Sequence, residues 1–357
     1  MAVHFHLLKV KSIRKETEDC VSIVLDIPDQ VSPAFLFTHG QSLTLRCKID
    51  GQEVRRTYSI CAAPFEKELR VAIKKVTGGL FSTHANERLQ VGDVLEVMEP
   101  VGKFNTALHA TNKKNYLAIA AGSGITPILS IIKTTLQTEP SSSFTLVYGN
   151  KTSRSIIFFE ELEGIKNKYL HRFQLLHVLS REKMDADINH GKINEGKLKD
   201  LQALIDYANM DEIFICGPEE MIFSSKDFLE RNGIDGKKIH FELFGSKGIR
   251  KTTMTQSTES GSANKSSVTI KLDGRSFEFA LGYNESNILD AALKQGADLP
   301  FACKGGVCCT CKAKLLEGAV KMDVHWGLEQ EEIEQGYILT CQSHPTTDQL
   351  LIDFDIK

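Results

Sequence analysis

Four cysteines fall within nine residues near the C-terminus, at Cys303, Cys308, Cys309 and Cys311, and a fifth follows at Cys341. Thiols crowded this closely have to share one short loop. In a chain of 357 residues whose first residues, MAVHFHLLKVKSIRK, carry no apolar stretch before their charges, such crowding points to metal ligation rather than disulfide staples. It also points to a reducing, cytoplasmic compartment. A composition 41% hydrophobic and 25% charged excludes a disordered or fibrous chain. At roughly 150 residues per domain the length predicts two or three domains. A net charge of −3 argues against nucleic acid as a partner. The uncharged stretch 115–132 is interrupted by Gly122, Ser123, Gly124, Thr126 and Pro127. It reads as a strand, a tight turn and a helix, with no membrane span.

The spacing is Cys303-x4-Cys308-x2-Cys311, with Cys341 further on, which is the plant-type [2Fe–2S] pattern. Four thiolates must converge on two irons, three of them from one loop. Gly305 and Gly306 let that loop fold tightly and turn backbone N–H groups toward anionic sulfur. A structural zinc site would use paired C-x2-C knuckles, and one is present. Cys309 leaves a C-x5-C-x-C assignment open, although the spacing favours Cys308.

Three textures run along the chain. Residues 1–106 show short β-rich runs (VSIVLDI, SLTLRCKI, RTYSI, ELRVAIKKV, DVLEVMEP) punctuated by glycine turns, which predicts an antiparallel barrel. Residues 107–245 alternate strands with helices, which predicts a parallel α/β sheet. Residues 246–267 are polar and Ser/Thr-rich, the pattern of a flexible tether. Residues 268–357 return to alternating strands around the helix NILDAALKQG and the cysteine loop, an α+β module.

Several short motifs could hold phosphate or a flat ring. In Arg56-Thr57-Tyr58-Ser59, alternation places Arg56 and Tyr58 on one strand face and Ser59 on the other. The guanidinium could clamp a pyrophosphate and the phenol ring stack on a heterocycle; a tyrosine on such a strand serves equally well as core. Gly78-Gly79-Leu80-Phe81-Ser82 runs from a glycine turn into a helix start, where N–H groups and the Ser82 hydroxyl could take a phosphate. Gly122-Ser123-Gly124-Ile125-Thr126-Pro127 follows a buried strand and opens a helix. Pro127 stands where a Rossmann fingerprint has its third glycine, and proline suits a first helical turn. An ordinary strand–helix turn would look similar. Ser180-Arg181 after FQLLHVL suits a ribose 2′-phosphate, and Glu182 follows it directly.

Together with His39-Gly40-Gln41 and Pro100-x-Gly102-x-Phe104, and in this order, the motifs of residues 1–244 resemble the ferredoxin–NADP reductase superfamily; the family often has an aromatic residue where Ser42 stands. The C-terminal segment resembles plant-type ferredoxins, a β-grasp fold. The resemblance implies an FAD-binding barrel with Arg56 on the pyrophosphate, Tyr58 on the isoalloxazine and Ser59 near its N5. Ile73, Lys74, Gly79, Leu80, Phe81 and Ser82 would be further flavin contacts. It implies a dinucleotide loop of Gly122, Gly124, Thr126 and Pro127. Ser180 and Arg181 would select NADPH over NADH. Cys216-Gly217-Pro218 would lie at the nicotinamide, with Cys216 as a packing element, and Glu242 in FELFG would close over the flavin, making Ser59, Cys216 and Glu242 the catalytic set. Cys303 and Cys308 would hold one iron, Cys311 and Cys341 the other. Domain order and the strings YGN at 148–150, HVLSRE at 177–182 and CKGGVCCTCKAK at 303–314 are similar to the reductase components of bacterial multicomponent oxygenases, and among these to the phenylacetyl-CoA epoxidase reductase family. The implied function is electron transfer from NADPH through FAD and the cluster to a partner oxygenase or other redox acceptor protein.

Residues 268–357 carry 14 acidic and 8 basic side chains, net −6, which leaves +3 for the rest. Such a module could dock on its own reductase half and then on a basic acceptor; the acids of 329–334 are also what a solvated helix face would carry. Reductases of steroid hydroxylases, toluene-type monooxygenases or acyl desaturases fit the same pattern. A redox sensor would need a DNA-binding motif or other output. An NADPH oxidase or disulfide-type reductase would need another reactive site, and the cysteines offer no redox pair outside the cluster loop.

Overall fold

The computed structural model describes residues 4–244, 265–283 and 285–356. These residues form two compact units, one within 7–244 and one in the C-terminal part.

The first unit begins with six antiparallel strands: β1 (Phe5–Thr17), β2 (Cys20–Asp26), β3 (Ser42–Ile49), β4 (Gln52–Ser59), β5 (Leu69–Lys74) and, after helix α1 (Leu80–Glu87), β6 (Val94–Met98). Their order is β4-β3-β6-β1-β2-β5. An antiparallel bridge between Ile60 and Val71 joins the two ends, so the sheet closes as the alternating pattern predicts. β1 was hidden in sequence by its charges. Leu8 and Val10 point inward while Lys9 and Lys11 face water, and two register shifts against β2 bend it around the core.

A parallel sheet follows: β7 (Asn115–Ala121), α2 (Ile125–Thr138), β8 (Ser143–Asn150), α3 (Phe159–Lys168), β9 (Phe173–Leu179), α4 (Glu195–Leu201), β10 (Glu212–Gly217), α5 (Glu219–Arg231) and β11 (Ile239–Leu243). The order is β11-β10-β7-β8-β9. The chain leaves β7 toward β8 and β9 and then returns to β10 and β11 on its other side. Sheets that reverse in this way open a crevice beyond the strand ends at the point of reversal, here at the ends of β7 and β10.

α2 is buried on nearly every side because the sheet covers one face and the barrel the other. Ser130 on α2 donates to the Ala62 carbonyl of the barrel at 2.6 Å. The junction also holds a charge chain. Arg70 of β5 makes a forked contact to Glu161 of α3 at 2.8 and 3.0 Å. Lys133 of α2 bonds Glu161 at 2.7 Å and Glu66 at 2.5 Å, and Glu66 in turn accepts from the Ala63 N–H at 2.7 Å. The connection between barrel and sheet is fastened by Glu139 at the end of α2. This fully buried carboxylate accepts from the Tyr116 hydroxyl, the Ser142 hydroxyl, the Asn112 amide and the His109 N–H, so its burial is fully compensated.

The second unit is a mixed sheet: β12 (Lys265–Leu272), β13 (Arg275–Gly282), α6 (Ile288–Lys294), β14 (Lys312–Glu317), β15 (Val320–Met322), α7 (Gln330–Glu334), β16 (Tyr337–Leu339), β17 (Ser343–Pro345) and β18 (Gln349–Asp353). The main order is β13-β12-β18-β14-β16, with β15 and β17 paired separately. α6 grips the sheet through Ile288, Leu289 and Ala292, and Asn287 caps it by accepting from the Asp290 N–H at 2.8 Å. The expected tether lies outside the described residues except for its last three, which are already in β12.

Burial alone would raise the Glu161 carboxyl, but Arg70 and Lys133 hold it below the ordinary carboxylate range. Its contribution is therefore present above that range and lost as pH falls through it. Glu161→Gln should cost about 3 kcal/mol at pH 7 and little below pH 4. Urea melts of both proteins at the two pH values check this.

Candidate functional site

The crevice at the sheet reversal is lined by the residues that the motifs predicted. Ser59, the last residue of β4, is buried and donates to Glu242 Oε2 at 2.9 Å. Glu242 lies on β11 directly beside Cys216 of β10 in the parallel ladder. Three residues separated by up to 183 positions thus meet at one point. Burial pushes the Glu242 carboxyl up to about 7, against the pull of the Ser59 hydrogen bond. Burial, and then the neighbouring Glu242, push the Cys216 thiol well above its usual range. A thiol held neutral packs rather than attacks.

The loop after β7 makes one 3-10 turn over Gly122–Gly124 before α2. Gly122 has φ +54° and open space where a Cβ would stand, and its carbonyl accepts from the Tyr148 hydroxyl at 2.9 Å. A Cβ on Gly124 would sit 2.1 Å from the Cys216 carbonyl oxygen, so this position must be glycine. Thr126 donates to the Ser123 carbonyl at 3.0 Å, and Pro127 lies in the first turn. A glycine-lined loop opening a long helix at the crevice fits an anionic dinucleotide. Gly217 packs against Met221 and Ala121, with Pro218 as the N-cap of α5.

Beyond the ends of β8 and β9 the chain stays paired. Ser180 N–H bonds the Asn150 carbonyl at 2.9 Å and Arg181 N–H the Lys151 carbonyl at 2.8 Å. Arg181 is exposed. The Glu182 carboxylate accepts from the Ser153 N–H at 2.7 Å and its hydroxyl at 3.0 Å. Sequence reasoning missed this engagement, because it joins two loops 29 residues apart.

On the barrel, Tyr58 packs on Phe81 with centroids 5.5 Å apart. Arg56 is exposed, its guanidinium donating to the Arg55 carbonyl. Ile73 is buried and Lys74 lies 3.5 Å from Asp19. α1 begins at Leu80, after Gly78 at φ +74° and Gly79. The Ser82 hydroxyl accepts from the Val76 N–H and donates to the Gly79 carbonyl. It braces the turn, which leaves the first N–H groups of α1 as the phosphate-facing donors. Tyr58 and these donors suit a flat heterocycle joined to phosphates.

In the second unit the thiols pair two and two. Cys303 and Cys308 hydrogen-bond each other, as do Cys311 and Cys341. Contact with Cys308, then backbone N–H groups of the loop, lower Cys303; contact with Cys311 and then Gln342 lower Cys341. Gly305 N–H points at Cys303 sulfur at 3.3 Å and Cys303 N–H at Cys308 sulfur at 3.4 Å. Lys304, Gly306 and Cys309 all have positive φ, which turns the loop's N–H groups inward. Among the described residues, no three His, Cys, Asp or Glu side chains converge on a single point. Two adjacent thiol pairs with N–H donors suit two irons, two thiolates to each. The Cys309 thiol donates to the Gly327 carbonyl, and a Cβ on Gly327 would meet that sulfur at 2.7 Å.

Comparison with known proteins agrees with this geometry. Residues 7–106 match the family described as oxidoreductase FAD-binding domain, 118–227 the oxidoreductase NAD-binding domain and 270–346 the 2Fe-2S iron-sulfur cluster binding domain. The chain is 47% identical to one of the subunits of 1,2-phenylacetyl-CoA epoxidase from Escherichia coli K12, over 99% of this chain and 98% of that one. It is 32% identical to the ferredoxin reductase component of 3-ketosteroid-9-alpha-monooxygenase from Rhodococcus rhodochrous, over 98% and 96%. The solved structure of phthalate dioxygenase reductase shares the fold, with TM-score 0.59, 24% identity and 98% of both chains covered. Among the described residues, no helix is long and apolar enough to cross a membrane. The chain belongs to the family of oxidoreductases that carry FAD-binding, NAD-binding and 2Fe-2S domains in one polypeptide, the family of the phenylacetyl-CoA epoxidase and ketosteroid monooxygenase reductase components.

Proposed function

We propose that this reductase takes electrons from NADPH and delivers them to a partner oxygenase of the phenylacetyl-CoA epoxidase type in the cytoplasm. The observation that carries the electron path is the meeting of Ser59, Cys216 and Glu242 in the crevice where barrel and sheet face each other; the partner rests on the 47% identity over nearly the whole length. When bound, FAD would accept a hydride from the nicotinamide, and the [2Fe–2S] group would carry electrons onward singly.

The residues of the chain supply placement. Arg56 and the N–H groups at Gly79, Leu80 and Phe81 hold the flavin pyrophosphate, with Ser82 bracing their turn. Tyr58 offers its ring to the isoalloxazine, and Ile73 and Lys74 border it. Gly122, Gly124, Thr126 and Pro127 form the dinucleotide cradle, and Gly217 and Pro218 leave room for the nicotinamide beside Cys216. Ser59 keeps its proton directed at Glu242 Oε2, which fixes the hydroxyl where the two rings would meet. Ser180 and Arg181 take the 2′-phosphate. Because Glu182 is engaged by Ser153, its carboxylate does not compete for a ribose hydroxyl, which supports NADPH over NADH. Cys303, Cys308, Cys311 and Cys341 ligate the irons. Domains of 1–106, 107–245 and 268–357 joined by a tether at 246–267 fit this division of labour.

An anaerobic titration of the whole chain with NADPH and then NADH, followed by visible absorbance and low-temperature EPR, tests the path. Flavin bleaching followed by a rhombic EPR signal is expected; bleaching without the signal overturns the onward step. Arg181→Gln should raise KM for NADPH about tenfold to a hundredfold, the loss of one charge-assisted contact, with NADH use unchanged; equal losses for both nucleotides refute the 2′-phosphate role. Glu242→Gln should slow flavin reduction at least about tenfold in stopped-flow traces, and an unchanged rate removes Glu242 from the site. A carboxyl raised to about 7 adds stability at low pH and loses it as pH rises through 7. Wild type should therefore lose stability relative to Glu242→Gln between pH 5 and 8 in thermal melts.

A further inference from the structure

We propose that Gln342 is a positioning residue that grips Cys341 through its side-chain amide and raises the reduction potential of the iron pair; the inference rests on the reading of the four cysteines as [2Fe–2S] ligands. Gln342 directly follows Cys341 and is buried, so its amide must find partners inside the protein. Its Nε2 donates to the Lys304 carbonyl at 3.0 Å and the Cys341 carbonyl at 2.9 Å, and lies 3.5 Å from the Cys341 sulfur. Its own carbonyl accepts from the Asp323 N–H at 2.9 Å, which holds the residue from the other side. Its Cγ lies 3.1 Å from where a Cβ on Gly306 would stand, so the side chain packs across the cysteine loop. One amide therefore ties the segment carrying Cys341 to the loop carrying the other three ligands.

The electrostatic consequence follows from charge. Reduction adds one electron to the iron pair, and part of that negative charge falls on the thiolate sulfurs. An N–H aimed at sulfur is worth more after reduction than before, so it raises the potential. A neutral amide does this without a titrating group, so its contribution is the same across neutral pH. The donors from the loop backbone cannot be removed by substitution; the donor from Gln342 can.

The test is a reductive titration of the full-length protein with dithionite and redox mediators, read by the EPR signal of the reduced cluster. Gln342→Met keeps the length and removes the donor. It should lower the potential by about 59 mV, a tenfold change in the one-electron equilibrium, with the same displacement at pH 6.5 and 8.5. An intact signal with an unmoved potential overturns the proposal. Should the variant fail to assemble, pulsed EPR of the wild type grown with side-chain 15N-glutamine decides: a coupling from an amide nitrogen to the reduced cluster supports the contact, and its absence refutes it. A wild type with no reduced-cluster signal at all overturns the cluster reading, and the role of Gln342 with it.

Discussion

The contact on which the larger unit depends is the charge chain from Arg70 through Glu161 and Lys133 to Glu66. A barrel and a parallel sheet have no reason of pattern or propensity to face each other in one orientation. Apolar packing of α2 brings them together, but such packing is tolerant of sliding. Forked hydrogen bonds between an arginine and a carboxylate are not. With Lys133 and Arg70 both nearly buried, a shift of either layer would leave an uncompensated charge. The crevice in which Ser59 meets Glu242 inherits its width from that constraint.

Inside the crevice, burial is put to a different use. The Glu242 carboxylate is held by the Ser59 hydroxyl, whereas Glu139 accepts from four donors. The first is raised to about 7 and the second held low, although burial acts on both. The difference lies in hydrogen-bond supply. One carboxylate is a fastening, and the other can change its charge near neutral pH.

Much of this was legible in the sequence because its signals are local. Cysteine spacing, the glycine turns before α1 and α2, and strands alternating with helices each sit within a few residues. The three fold types follow from them. What the sequence hid were contacts between distant loops. The pairing of Glu182 with Ser153 and the grip of Gln342 on Lys304 leave no periodic trace. β1 was obscured by a lysine-rich outer face, and the role of Ser82 as a brace rather than a free hydroxyl depends on a turn geometry that composition cannot report.

Gly124 pressed against the Cys216 carbonyl has an implication for how members of this family can diverge. Two strands meet there with no room for even a methyl group, so the grip on the shared half of the nicotinamide nucleotides is fixed by backbone alone. Side chains that distinguish one nucleotide from the other stand elsewhere, on the loops after β8 and β9. Preference between donors is thus separable from the place where the donor reacts, and a lineage could exchange one electron source for another by rewriting a handful of surface positions while the reacting geometry stays untouched.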